Sequence, residues 1–293
     1  MLMATQDPYW RIGKKIQNLM YFYIFSLIGY LIYTWIGFVL MLLYLIIIIL
    51  LAIDIKNAAA VYSDASLGKA WIFLLAGSIT CIAFMIVFQV IPVEFDAEYV
   101  LNVLNTVSDP MVALDMVAPY IASPLGIMVT LLAPELVIPP VLYVLAWNQV
   151  NQHVSKLDDM KKHIALEGLH KILVGQKAFF AAGAALAGCL AIIYGVFQSI
   201  AITPGPISYG TLAPLGLAGI LALFGIIVVI VAFFYLMFGY YGAGSGICTL
   251  KSGQVQGERA LREQQRPRCA ACGNPVPTEP SIKFCPVCGA KLD

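Results

Sequence analysis

The sequence predicts an all-α polytopic membrane protein with six transmembrane helices and a small separate module at its C-terminus. Three observations carry that reading: an apolar composition, five long apolar runs, and the confinement of every basic residue to alternate connections. Of the 293 residues, 61% are hydrophobic and 11% are charged, with a mean hydropathy of +0.87. An ordinary soluble domain has roughly 45–50% and 25%, so a soluble globular protein is excluded. The net charge of +1 gives the whole chain no bias toward nucleic acid or an acidic substrate.

A bilayer core about 30 Å thick takes about 20 apolar residues per helix. The apolar runs cover 19–55, 70–93, 121–147, 178–203 and 214–240. As one helix the first run would reach about 55 Å. It is therefore broken at Tyr33-Thr34-Trp35-Ile36-Gly37, where aromatics and a glycine suit a tight interfacial turn, giving six spans. Ahead of the first span, Tyr9, Ile12 and Ile16 are spaced i, i+3, i+7 and predict a short helix lying against lipid, with Gly13 weakening it. Lys14 and Lys15 before an apolar run look superficially like a signal peptide. The run is too long and lacks a small-residue cleavage site, so an uncleaved first span is expected. Trp71 and Trp147 fall at span ends, as an aromatic belt requires.

Charge sets the orientation, because Lys and Arg accumulate in short cytoplasmic loops. With six spans, Arg11, Lys14 and Lys15 precede the first, and Lys56 and Lys69 separate the second and third. Lys156, Lys161, Lys162, Lys171 and Lys177 separate the fourth and fifth, and the remaining seven basic residues follow the sixth. The opposite connection, 94–120, carries Glu94, Asp96, Glu98, Asp109 and Asp115 without a Lys or Arg. A multi-pass protein of the cell membrane is predicted, with the N-terminus and C-terminus both cytoplasmic. The expected division is an N-terminal cytoplasmic or interfacial segment (1–18), a transmembrane domain (19–240), a linker (241–268) and a terminal module (269–293).

Two stretches look alike. Lys69-Ala70-Trp71 precedes Cys81, and Lys177-Ala178-Phe179 precedes Cys189 at the same spacing. The match fits either a parallel repeat of a two-helix unit or the monotony of membrane composition. The fifth span is dense in small residues from Ala181 to Gly188, and the sixth adds Gly216, Gly219, Ala222 and Gly225. Such faces let helices approach closely, within the chain or across a homo-oligomer interface.

The last 25 residues carry the most specific motif: Cys269-Ala270-Ala271-Cys272-Gly273 and Cys285-Pro286-Val287-Cys288-Gly289. Two Cys-x-x-Cys knuckles match a closed tetrahedral zinc site. The glycines can adopt positive φ and leave backbone N–H groups free to point at the sulfurs. This segment resembles the zinc-ribbon family, and only here. The resemblance implies Cys269, Cys272, Cys285 and Cys288 as ligands of a structural zinc and a small β module that contacts proteins. The Cys-Pro-x-Cys-Gly knuckle also resembles the iron protein rubredoxin, and iron or disulfides remain alternatives. A cytoplasmic tail agrees with reduced thiols. From 251 to 293 there are seven basic and four acidic residues without a basic stripe or interleaved aromatics, so nucleic acid is not an expected partner. By analogy alone, such tails on small polytopic proteins point to a prokaryotic source.

Within the spans, Glu135 is the one charged residue well inside an apolar run, in Ala133-Pro134-Glu135-Leu136 and just ahead of Pro139-Pro140. A mid-membrane carboxyl usually faces a cavity or a partner, and prolines free backbone carbonyls that only protein or water can cover. Glu135 is read either as a proton or cation site in a proline-broken helix, or as part of the acidic outer interface. His163, Glu167 and His170 share one helix face, yet lack the carboxylates of a di-iron site. They fit a surface amphipathic helix with the stripe Leu157, Met160, Ile164 and Ile172. Asp54 is read as paired with Lys56. No Ser-His-Asp set or phosphate cradle can be assembled, and an enzyme is the least supported class. The expectation is an integral membrane scaffold, regulatory or accessory subunit whose ribbon docks a protein partner. The alternative is a small-solute or ion transporter using Glu135.

Overall fold

A computed structural model describes residues 7–91, 96–157, 159, 161–202, 207–250, 272 and 288–289. These residues form seven helices: α1 (Pro8–Ile32), α2 (Thr34–Tyr62), α3 (Ala65–Val90), α4 (Ala97–Thr106), α5 (Pro110–Ser155), α6 (Lys162–Ile202) and α7 (Tyr209–Thr249). No strand occurs among the described residues. The β module expected at 269–293 lies almost wholly outside them.

Local chemistry sets most of the helix starts. Asp7 accepts the Tyr9 N–H at 2.9 Å with Pro8 following, and Asp109 does the same for Met111 with Pro110 following. Asp64 caps α3 through the Ser66 and Leu67 amides, Asp96 caps α4, and Ser208 caps α7. Each supplies an acceptor for a donor that the first helical turn leaves unpaired. Tyr33 alone, in extended conformation, separates α1 from α2, where the sequence predicted a five-residue turn. The α2–α3 turn places Ser63 in the left-handed region at φ 52°.

The helices pack as a closed ring in chain order: α1 on α2, α2 on α3, α3 on α5, α5 on α6, α6 on α7, and α7 back on α1. The short α4 packs on α5. One end of the ring, the basic end, carries Arg11, Lys14, Lys15, Lys56, Lys69, Lys156, Lys161, Lys162 and all three histidines. The other carries Asp96, Glu98, Asp109 and Asp115, and is the acidic end.

Five helices, α2, α3, α5, α6 and α7, are long and apolar enough to cross a membrane. The first predicted span is not among them. Arg11, Lys14 and Lys15 occupy the opening turns of α1, and the uncharged stretch from Leu19 to Ile32 falls short of about 20 residues.

Several expectations change. The acidic connection 94–120 is largely helical, because α4 and the opening turns of α5 lie within it. α5 is one helix of 46 residues, about 69 Å long. It runs unbroken through Pro119, Pro124, Pro134, Pro139 and Pro140, so the proline-broken helix is not found. α7 continues to Thr249 through 241–249, where the linker was expected to begin.

The glycines there are packing devices. A Cβ on Gly244 would meet Gly13 of α1, one on Gly242 would touch Gly168, and one on Gly246 would run into Ala165 of α6. Gly13 likewise marks a helix crossing, against Gly244 and Cys248. Tyr9, Ile12 and Ile16 are buried in the protein core and do not lie against lipid. Trp147 is 1% exposed and packs on Tyr240, so it does not belong to an aromatic belt. The amphipathic stretch around Ile172 forms the opening turns of α6, with Ala165, Leu169 and Ile172 buried in the core. The likeness of the two Lys/Cys stretches does not extend to their helices: α3 begins one turn before Lys69, and α6 about four turns before Lys177.

Candidate functional site

The ring frames a partly open cavity of about 260 Å³ to which all six of its helices contribute. Tyr23 comes from α1, Met41 and Tyr44 from α2, Cys81 from α3, Glu135 and Tyr143 from α5, Gln176 and Phe179 from α6, and Leu236 from α7. Leu132, Leu136, Pro139 and Pro140 complete an otherwise apolar lining.

The polar groups along this wall hold one another. The Tyr44 and Tyr240 hydroxyls are 3.0 Å apart, and Gln176 Nε2 donates to the Tyr240 oxygen at 3.3 Å. Ser78 Oγ donates to the Leu74 carbonyl at 2.9 Å, which leaves the Tyr143 hydroxyl to donate to Ser78 at 3.3 Å. Gly77 lies directly beneath the Tyr143 ring, where a Cβ would be 2.9 Å from Cε1. Satisfied networks of this kind fix side-chain positions in a low-dielectric interior.

Glu135 differs from these neighbours. Among the described residues it has no hydrogen-bond or ion-pair partner, and it lies part-way into the protein. Its own helix leaves further oxygens unpaired. Prolines at 139 and 140 have no N–H, so the carbonyls of Glu135 and Leu136 lose their usual helical partners. The Leu136 carbonyl abuts Gly183 of α6, where any side chain would collide with it. Glu135 therefore lines the central cavity from the interior of a continuous helix.

A second cavity, of about 710 Å³, opens nearer the acidic end, lined by Ile91, Pro119, Ser123, Gly126, Thr130, Tyr194 and Gln198 among others. The two cavities follow α5: Leu131 lines the larger and Leu132 the central one.

At the basic end the structure assembles a cluster that the sequence reading missed. His153 is 4% exposed, and its Nε2 lies 3.0 Å from the Tyr9 hydroxyl. Its Nδ1 lies 3.1 Å from Asp64 Oδ2. Tyr62 stacks on Tyr9 with ring centroids 5.0 Å apart. Lys156 Nζ donates to Ser66 Oγ at 3.2 Å beside this cluster. Burial works against the Asp64 charge, but the His153 contact and the Leu67 and Ser66 amides outweigh it and hold the carboxyl below its ordinary range. With both Tyr9 and His153 buried, the arrangement acts as a pin joining the starts of α1 and α3 to the ends of α2 and α5. Asp54, expected to pair with Lys56, instead pairs with Lys15 at 2.8 Å, and Lys56 sits over the Trp71 ring at 5.1 Å.

His163, Glu167 and His170 are exposed on α6, and Glu167 pairs with Lys171 at 2.7 Å. Among the described residues no group of three or more His, Cys, Asp or Glu is placed to hold a metal. Of the four expected zinc ligands, Cys269 and Cys285 lie outside the described residues. Cys272 and Cys288 each sit in an exposed turn. Gly289 has φ of 72°, the backbone form that a Cys-x-x-Cys-Gly knuckle needs. No family model, curated protein or solved structure matches the chain.

Proposed function

We propose that the chain is a carrier of a small solute or ion, with six spans, both termini cytoplasmic in the cell membrane, and Glu135 as its binding group. The observation that carries this reading is the central cavity, with an unpaired carboxylate on its wall and all six ring helices around it. A charge in that setting is costly without a cargo or a proton to neutralise it. The six-span count rests on α1 lying in the ring beside α2 and α7, and the orientation on the collection of Lys and Arg at one end.

A carrier site must be reached from water, and Cys81 on the cavity wall reports on that directly. In sealed vesicles, a membrane-impermeant methanethiosulfonate should modify Cys81, read by peptide mass mapping. If Cys81 reacts from neither face, yet does react after denaturation, the carrier reading is overturned.

The four-cysteine tail favours a second reading, a scaffold or accessory subunit. Structural zinc held by Cys269, Cys272, Cys285 and Cys288 would supply most of the folding energy of so small a module, and the module would dock a protein partner. Purification from native membranes in mild detergent, followed by mass spectrometry, tests it. A stoichiometric partner lost on deletion of 269–293 supports the subunit reading, and a chain that purifies alone removes it.

A further inference from the structure

We infer that the cargo of the central cavity is a small organic ammonium ion, seated between the Glu135 carboxylate and an aromatic wall. This rests on the reading of the cavity as a carrier site and goes on to name the chemistry of what enters it.

The first step is charge. Among the described residues no Lys, Arg or His lines the cavity, so no described group in its wall neutralises Glu135. The second is the kind of cation. A hard metal ion stripped of water takes about six or more oxygen ligands. Here the Tyr44 and Tyr143 hydroxyls are already hydrogen-bonded to other side chains, the Glu135 carboxylate, its freed backbone carbonyl and Gln176 Oε1 fall short of that number, and no cluster of His, Cys, Asp or Glu stands beside Glu135 among the described residues. What the wall offers in quantity is aromatic surface: Tyr23, Tyr44, Tyr143 and Phe179. Ring faces attract weakly hydrated organic cations, and quaternary ammonium groups are the usual beneficiaries. Met41, Leu132 and Leu236 then match the alkyl part of such an ion.

Size and access agree. About 260 Å³ is just below the roughly 300–1,000 Å³ that holds a drug-sized ligand, which suits a compact ion. The acidic end of the ring exposes Asp96, Glu98, Asp109 and Asp115, and the chain has no Lys or Arg between Lys69 and Lys156. That field draws cations toward the larger cavity, one residue along α5 from the central one.

The test uses the full chain in lipid nanodiscs, with choline as the probe and 3,3-dimethylbutan-1-ol as its uncharged isostere. Choline should slow modification of Cys81 at least tenfold and raise the melting temperature, while the isostere does neither. Glu135→Gln should abolish both effects. Glu135→Asp, which keeps the charge, should retain part of them. Phe179→Leu should weaken protection about tenfold. Equal protection by the isostere would overturn the inference, since the site would then be merely apolar. Protection by sodium or potassium chloride alone would also overturn it, in favour of an inorganic cation. If Cys81 reacts but neither choline nor methylammonium protects it or shifts the melting temperature, the ammonium assignment fails and the carrier reading stands. If Cys81 never reacts, the carrier reading fails. Choline binding by melting temperature then decides whether the site still takes a cation.

Discussion

The two ends of the ring are built differently. The basic end and the middle hold Trp147, Tyr240, Ile16, Leu19, Leu51, Ile55, Leu169, Ile172 and Ile247, all fully buried in one continuous core. The acidic end holds two small clusters, Val100, Val103, Ala113 and Val117 in one and Ala118, Val196 and Ile200 in the other, beside the larger cavity. Along α6 and α7 the glycines show the same contrast, whereas Gly68 at the basic end is open and Gly126 beside the larger cavity abuts the Tyr194 ring. At Gly168 a Cβ would run into the Ala243 backbone, whereas at Gly195, Gly216 and Gly219 it would meet nothing within 4 Å. One end is tightly packed, and the other is loosely packed around the larger cavity. For a carrier this division is useful, because a site must change its exposure while something holds the helices in register.

The contrast can be broken most sharply at Gly168. Gly168→Leu forces backbone apart, which side-chain rotation cannot relieve, and should cost more than about 3 kcal/mol, the upper range for overpacking. A denaturation midpoint unchanged from wild type would show that the α6–α7 crossing is not the anchor. His153→Ala comes next, leaving the Tyr9 hydroxyl and the Asp64 carboxylate short of a partner at the pinned end. A loss of about 1–3 kcal/mol is expected in the same measurement.

Acid should loosen the basic end as well. The folded-state pKa of Asp64 is lowered, so the stability it contributes is complete above its unfolded value of about 4. That stability drains away as the pH falls through the lower folded value. A melting-temperature series from pH 6 to pH 3 should therefore decline less steeply in Asp64→Asn than in wild type. The smallest effect belongs to the open end: Gly195→Ala and Gly216→Ala should leave stability unchanged or raise it by up to about 1 kcal/mol, since Ala meets nothing there and is the better helix former. Losses there matching that of Gly168→Leu would abolish the distinction between the two ends.

Legibility in the sequence followed the range of the interactions. Apolar runs longer than a bilayer are local, and the five membrane-length helices among the described residues were readable from them. The α1–α2 break was also readable, from aromatics and a glycine within a few residues of Tyr33. The helical acidic connection was missed although its signals were present, since Asp96 and the Asp109-Pro110 pair are helix-start chemistry. The pin was not readable at all. Tyr9, Tyr62, Asp64 and His153 come from four separate helix ends, and nothing near His153 in the chain announces its partners. Glu135 stood out as an intramembrane carboxyl, but the tyrosines and Gln176 around it could be assembled only once the ring was closed. Trp147 misled because a span-end tryptophan serves an interface or a core equally well, and only the neighbouring Tyr240 decides. The prolines of α5 misled because neighbouring helices cover the carbonyls they free, as Gly183 does for Leu136.

The chain-order ring also has a history written into it. Each helix docks on the one made just before it, apart from the small detour through α4, so assembly can keep pace with synthesis and needs few distant encounters. The seam between α1 and α7, where Gly13 meets Gly244, joins the two ring helices farthest apart in the chain. α1 is synthesised before α7 and waits for it. A nascent chain halted before α7 is an open arc with Gly13 of α1 bare, and the arrival of α7 is what shuts it.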